Sequence, residues 1–127
     1  MQQNHNKILV ELINKTNSQN SKKFFKELDI KVKKIIGHKL FTLMVVDKSL
    51  KYVERVYSSN IKAYPLLGTK PIPKNEWTKK VVLNKKNFLG KDMKTIKKLF
   101  FDHEVISSLG CGSIINIPVI NNNIILG

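Results

Sequence analysis

The chain has 127 residues, of which 42% are apolar, and its 23 basic and 9 acidic side chains give a formal net charge of +14. This length is typical of one domain with its own core. The sequence contains no apolar run long enough to span a membrane, and its N-terminus lacks the apolar segment of a secretion signal. Cys111 is the single cysteine, which excludes an internal disulfide and favours a reducing, cytoplasmic location.

The basic side chains are almost all lysine, with 22 lysines beside one arginine, Arg55. The chain also has 15 isoleucines and 13 asparagines, and all three residue types use AT-rich codons, so part of the charge reflects base composition. Proteins that read nucleic acids favour arginine for base contacts and aromatic side chains for stacking. The lysines here are spread along the chain without interleaved aromatics. We therefore expect a solvated lysine surface, with a basic polyanion-binding module as an alternative.

Residues 1–20 are predicted to form an N-terminal helix and a polar connector, because apolar residues recur at helical spacing in 6–14 and polar residues fill 15–21. The next helix is predicted over residues 22–36, with Ser21 as its N-cap and Gly37 as its stop. Its apolar stripe is the expected interface of a homodimer and consists of Phe24, Phe25, Leu28, Val32, Ile35 and Ile36.

Residues 40–46 form a near-continuous apolar run, which predicts a strand covered on both faces. A polar connection over 47–51 leads to a second strand over 52–59. Strand alternation is expected to place Val53, Arg55, Tyr57 and Ser59 on one face of that strand. Residues 60–74 hold three of the four prolines and are predicted to be an irregular loop that covers a ligand pocket.

Short helices and strands are predicted to follow one another in the rest of the chain. Asn75 and Asp92 are predicted N-caps of two helices, over 76–85 and from residue 93 onward, and Asp102 opens a further turn. Residues 88–90 and 112–120 are predicted strands, the second of them buried. Three asparagines at 121–123 predict a turn before a last strand that begins at residue 124.

This order of helix, hairpin, irregular middle, strand, turn and strand resembles that of GAF domains, which bind small molecules. The segment 109–119, LGCGSIINIPV, is similar to a late strand of that family, with small residues before apolar residues and a proline. The resemblance implies an α+β fold over residues 21–127, a PAS-like antiparallel sheet flanked by helices. It also implies that the last strand lies beside the first, and that this strand and the helix after it are incomplete here.

The function that the resemblance implies is a sensory or regulatory domain that holds a small molecule between the sheet and the overlying loops. Arg55 is the first candidate contact, because guanidinium offers a planar fork for a carboxylate or phosphate that ammonium lacks. Nearby aromatic side chains are expected to wall the pocket. The sequence does not identify a cofactor. The expected ligand contacts are Arg55, Tyr57, Ser59, Tyr64, Trp77, His103, Cys111 and Ser113.

A small enzyme of the same fold, using Cys111 or His103 in redox or hydrolytic chemistry, is a less favoured alternative. Asp102 and Glu104 flank His103, but adjacent side chains on a helix do not face one another, so no catalytic residue or metal ligand is predicted. GAF domains that bind bilins place histidine after their cysteine, whereas glycine follows Cys111. GAF domains that reduce methionine sulfoxide use several cysteines, and this chain has one.

Overall fold

The structure is a computed structural model, and it describes residues 19–66 and 68–127. Within these ranges the fold is α+β, as predicted, with one long and several short helices and three small antiparallel sheets. The predicted helix over 6–14 lies outside the described residues. The first described helix, α1, spans Gln19–Ile36. Ser21 therefore lies inside the helix with its side chain buried, and its prediction as the N-cap is wrong.

One side of α1 packs against the sheet. Phe25 is fully buried there, and Leu28 and Val32 are half-buried. The stripe continues past the sheet, because Ile35 and Ile36 in the last turn are exposed. Gly37 ends the helix as predicted. Its φ of +77° and its N–H bond to the Lys33 carbonyl form the left-handed C-terminal turn that glycine favours.

Three antiparallel strands form the main sheet in the order β1–β2–β3. They span Thr42–Val46, Tyr52–Ser58 and Thr69–Pro71. β1 and β2 form the predicted hairpin, but every residue of β1 is half-buried, so the prediction of a strand covered on both faces is wrong. The reason is that β1 belongs to a small antiparallel sheet, whereas strands covered on both faces are typical of parallel sheets packed between helices. β3 was not predicted, and it gives the loop 60–74 partial strand structure.

A β-bulge at Val56 changes which side chains share a face of β2. Leu43 pairs with Tyr57, and the next residue of β1, Met44, pairs with Arg55. Neighbouring residues of a strand point to opposite faces, so this register places Arg55 and Tyr57 on opposite faces of the sheet. The predicted single face that included both residues is therefore wrong.

Two of the predicted helix caps are present in the middle of the chain. The side chain of Asn75 accepts a hydrogen bond from Thr78 N–H at the start of α2, which spans Glu76–Thr78 and continues as a π-helical turn over Lys79–Leu83. Asp92 accepts a hydrogen bond from Thr95 N–H at the start of α3, which spans Met93–Leu99. Side-chain oxygens of this kind satisfy backbone N–H groups that a first helical turn leaves unpaired.

The second sheet pairs β4, Phe88–Gly90, with β5, Ile114–Asn116. The predicted buried strand over 112–120 is wrong in extent and burial, because β5 has three residues and Ile115 and Ile117 are exposed. A fourth helix, α4, spans His103–Ser108. Between these elements lies a core of Tyr64, Ile96 and Ile106, against which Leu109, Cys111 and Ile114 also pack.

The described chain ends in a hairpin of β6, Ile120–Asn121, and β7, Ile124–Ile125. Asn122 and Asn123 form its turn with φ of 49° and 62°, which confirms the predicted asparagine turn. The Leu126 carbonyl then accepts a hydrogen bond of 2.8 Å from Val46 N–H, so the hairpin contacts β1. No helix among residues 19–66 and 68–127 is long and apolar enough to cross a membrane.

Candidate functional site

Arg55 lies half-buried on β2 and makes few polar contacts for a guanidinium. Its Nη1 donates a hydrogen bond of 3.2 Å to the Pro65 carbonyl, and its central carbon lies 4.8 Å from the centre of the Tyr64 ring. Its Nε is buried and has no hydrogen-bond partner among the described residues. A guanidinium carries five N–H donors, so this side chain retains capacity to bind an acceptor.

Tyr64 connects Arg55 to α4. The Asn60 side chain accepts a hydrogen bond from Ala63 N–H, and this turn directs the buried Tyr64 into the core. The Tyr64 hydroxyl donates a hydrogen bond of 2.7 Å to Asp102 Oδ2. Burial, and then the bond to Asp102 and its charge, raise the pKa of Tyr64. Asp102 does precede α4 as predicted, but its carboxylate binds Tyr64 and caps no N–H of that helix.

Lys70 supplies a second positive charge close to Arg55. Lys70 on β3 pairs with Val53 on β2, so the diagonal neighbour of Lys70 on the same face is Arg55. Lys70 is exposed as a residue, but partial burial of its ammonium group lowers its pKa, and the Arg55 charge lowers it further. Asp102 acts in the opposite direction. We call Arg55, Tyr64, Lys70 and Asp102 the Arg55 cluster.

Tyr57 belongs to a separate group of contacts, against α1. Its hydroxyl donates a hydrogen bond of 2.6 Å to Asp29 Oδ2, and His38 Nε2 lies 2.7 Å from the other oxygen of that carboxylate. Burial, and then the bond to Asp29 and its charge, raise the pKa of Tyr57 to about 12. The Tyr57 ring also meets Phe25 and Phe41 edge to face. The structure therefore does not bring Tyr57 to Arg55.

Three further predicted contacts lie apart from the Arg55 cluster. Ser59 is exposed, and its hydroxyl accepts a hydrogen bond from Phe41 N–H across the hairpin. Trp77 is half-buried on α2 and donates its indole N–H to Asn116 Oδ1 at 3.0 Å, which joins α2 to β5. Ser113 is exposed in the segment before β5. Ser59 and Trp77 thus have structural partners where they lie.

His103 and Cys111, the residues of the enzyme alternative, occupy different surroundings. His103 lines a shallow groove of about 390 Å³ on α3 and α4, together with Lys97, Glu104, Ser107 and Ser108. Cys111 is half-buried and packs against the core of Tyr64, Ile96 and Ile106. Since Cys111 does not line the groove, the structure does not combine these two residues in one site.

Two cavities among the described residues do not include the Arg55 cluster. A smaller cavity of about 90 Å³ lies over the β1–β2 turn and is lined by Val45, Asp47, Tyr52, Val53, Glu54 and Thr69. Neither this cavity nor the groove is lined by Arg55, Tyr64 or Trp77. Among residues 19–66 and 68–127, no group of three or more His, Cys, Asp or Glu side chains is arranged to hold a metal ion.

Of the Arg55 cluster, sequence reasoning selected Arg55 and Tyr64 and did not select Lys70 and Asp102. Lys70 is one of 22 lysines and has no distinguishing local pattern. Asp102 has the local pattern of a helix start, and this pattern gives no indication of its long-range hydrogen bond with Tyr64. Comparison with protein-family models, with curated proteins and with solved structures found no match to this chain.

Proposed function

We propose that this chain is a small-molecule-binding module of α+β fold, in which Arg55 and Lys70 hold an anionic ligand between the sheet and the loop 60–74. The observation that carries the proposal is the buried Nε of Arg55, which lacks a partner among the described residues. Leaving a buried donor unpaired costs roughly 1–3 kcal/mol, more when the group is charged. A ligand acceptor at this position removes that cost.

The chemistry of the Arg55 cluster favours a carboxylate or phosphate. A guanidinium can donate two parallel N–H bonds to either group, and such charge-assisted bonds are stronger than neutral ones. Lys70 adds a second positive charge on the same face, whereas Asp102 already accepts the Tyr64 hydroxyl. An anion between Arg55 and Lys70 lessens their mutual repulsion and raises the lowered pKa of Lys70 towards its usual value.

The loop 60–74 connects this site to a conformational response. Arg55 already donates to the Pro65 carbonyl and stacks on Tyr64, and both residues belong to that loop. The Nε that lacks a partner among the described residues is buried, and neither of the two cavities is lined by Arg55, so an anion that binds this Nε requires the surrounding residues Tyr64 and Pro65 to move, which shifts the loop. A ligand-dependent shift of this kind is what a sensory or regulatory domain needs, as expected from the resemblance to GAF domains.

Thermal unfolding in the presence of small carboxylate and phosphate metabolites tests this proposal. A ligand present at about a thousand times its dissociation constant adds roughly 4 kcal/mol to the free energy of unfolding, which raises Tm by many degrees. We expect Arg55→Lys to abolish the shift, since it keeps the charge and removes the fork, and Lys70→Met to weaken it. Lys48→Met, in the exposed β1–β2 turn, is the matched control and should leave it unchanged.

Two results contradict the proposal. One is a cooperative unfolding transition whose Tm is not raised by any anion in the set. The other is a shift that persists in full in Arg55→Lys, because the ligand then binds elsewhere. A shift lost equally in Lys48→Met reports only general attraction of anions to the positive chain.

A further inference from the structure

The last 23 residues, 105–127, contain no charged side chain, although a quarter of the whole chain is charged. This uncharged segment includes β5 and three exposed isoleucines, Ile115, Ile117 and Ile124. Large apolar side chains that are exposed next to one another are typical of a contact with another molecule.

β5 presents both an apolar face and an open edge. Ile114 and Asn116 point inward, where Ile114 packs on the core and Asn116 binds Trp77. Ile115 and Ile117 point outward and are 55% and 63% exposed, and Leu89, the partner of Ile115 on β4, is 53% exposed. Among residues 19–66 and 68–127, β5 pairs with β4 alone, so no strand of these ranges occupies its other edge, and an unpaired edge of this kind can pair with a strand of another molecule.

The distribution of charge identifies the kind of partner. Two copies of a chain with net charge +14 repel one another wherever their lysines meet. The exposed Ile35 and Ile36 lie directly after Lys33 and Lys34 on a helix with six lysines, so an α1 interface opposes like charges. β5 and its outer face are free of charged residues. An acidic partner, in contrast, would prefer the lysine-rich helix.

We propose that β5 is a self-association surface, on which a second copy of this chain places its own β5 antiparallel across a two-fold axis. The result is a four-stranded sheet in which the two β4 strands are outermost and the outward isoleucines of both copies are adjacent. Such an isologous contact uses the same residues on both copies. It does not depend on ligand binding at Arg55.

The geometry keeps the lysines next to the two β4 strands apart. Lys86 and Lys91 flank β4, and at about 4.8 Å between strands the two β4 strands lie roughly 14 Å from each other. That separation exceeds the screening length of about 8 Å at physiological ionic strength. Pro118 has no N–H and limits the pairing to a few residues, so we expect a weak dimer with a dissociation constant of roughly 100 μM.

Sedimentation equilibrium of the full chain, from low micromolar to millimolar concentration, tests the proposal at low and high salt. We expect a monomer–dimer equilibrium in which the dimer becomes more stable as salt is added, because screening reduces the repulsion between the copies. Binding of the chain to a polyanion, in contrast, would become weaker as salt is added. Ile115→Lys places a charge beside the two-fold axis and should raise the dissociation constant of the dimer at least about tenfold. Ile35→Lys, at the 82% exposed Ile35 of α1, is the matched control and should behave as wild type.

The proposal is overturned by a chain that stays monomeric at millimolar concentration in high salt. It is equally overturned if Ile115→Lys dimerises like wild type, or if Ile35→Lys alone dissociates the dimer, which would place the interface on α1. Circular dichroism checks that each variant is folded. If Ile115→Lys does not fold, Ile117→Lys replaces it, and amide exchange in wild type gives an independent readout: protection of residues 114–116 must rise with protein concentration.

Discussion

Arg55 stacks its guanidinium on the ring of Tyr64, 4.8 Å from the ring centre, while the Tyr64 hydroxyl donates to Asp102 at 2.7 Å. These contacts join β2, the loop 60–74 and the start of α4. A cation over an aromatic face is stabilised most when water is excluded, and Tyr64 is a buried residue. The same contacts hold Arg55 in place while its Nε remains without a partner in the described ranges.

Gly90→Ala should destabilise the fold. A Cβ at position 90 would lie 2.8 Å from Ile114 Cγ2 and 3.3 Å from the Phe88 ring, so the Ile114 side chain or the backbone around it would have to shift. Overpacking of this kind costs about 1–3 kcal/mol in the free energy of unfolding. Gly112→Ala is the control, since a Cβ there meets no atom within 4 Å, and it should be neutral or slightly stabilising. Urea denaturation of the two variants measures the difference, and equal stabilities would contradict the packing described.

Asp47 makes the β1–β2 hairpin sensitive to acid. Its carboxylate accepts hydrogen bonds from the N–H groups of Ser49, Lys51 and Tyr52 and from the Ser49 hydroxyl. The Ser49 hydroxyl first, and then the Tyr52 N–H, lower the pKa of Asp47 from 3.8 to about 2. Because the folded pKa is the lower one, this stabilisation is complete above pH 4 and is lost as the pH falls towards 2.

Asp47→Asn should therefore be less stable than wild type at neutral pH, and the difference should vanish near pH 2. Denaturation in urea at a series of pH values measures it. Glu54→Gln, which removes an exposed carboxylate from β2, serves as the control and should show no such pH dependence. A difference between wild type and Asp47→Asn that stays constant from pH 6 to pH 2 would show that the carboxylate charge does not stabilise the turn.

Tyr57 should make the fold sensitive to alkali. Its pKa rises from 10 to about 12 in the folded chain, so its contribution to stability is complete below pH 10 and is lost as the pH rises towards 12. Tyr57→Phe removes the bond to Asp29 and should cost roughly 1 kcal/mol at neutral pH, with a smaller difference at pH 12. Circular dichroism during alkaline titration monitors the loss of structure. Tyr52→Phe, at an exposed position of β2, should follow wild type.

Local sequence signals predicted the parts of the fold that local chemistry determines. Gly37 ends α1 with a positive φ, Asn75 and Asp92 cap their helices, and Asn122 and Asn123 form a left-handed turn. Each signal acts through backbone groups within about four residues of the side chain. The α+β class was expected from the order of the elements, which resembles that of GAF domains, and the structure has this class.

Which residues meet at the candidate site depends on pairing between distant segments, and this pairing could not be predicted from the sequence. The bulge at Val56 depends on how β1 aligns with β2, and it reverses the face of Tyr57 relative to Arg55. Lys70 reaches Arg55 only because the loop 60–74 returns as β3. Asp102 binds Tyr64 from 38 residues away. Arg55 was recognisable by contrast, as the one arginine among 22 lysines.

The most direct test of the central claim observes the Arg55 Nε–H group itself. Because Arg55 is the chain's only arginine, a nitrogen–proton correlation spectrum of the arginine side chains contains one Nε signal, and Arg55→Lys confirms its assignment. We predict that inorganic phosphate, or one of a set of phosphorylated and carboxylated metabolites, moves this signal saturably and slows its exchange with water. A signal that no anion in the set moves at millimolar concentration would contradict an anion site at Arg55.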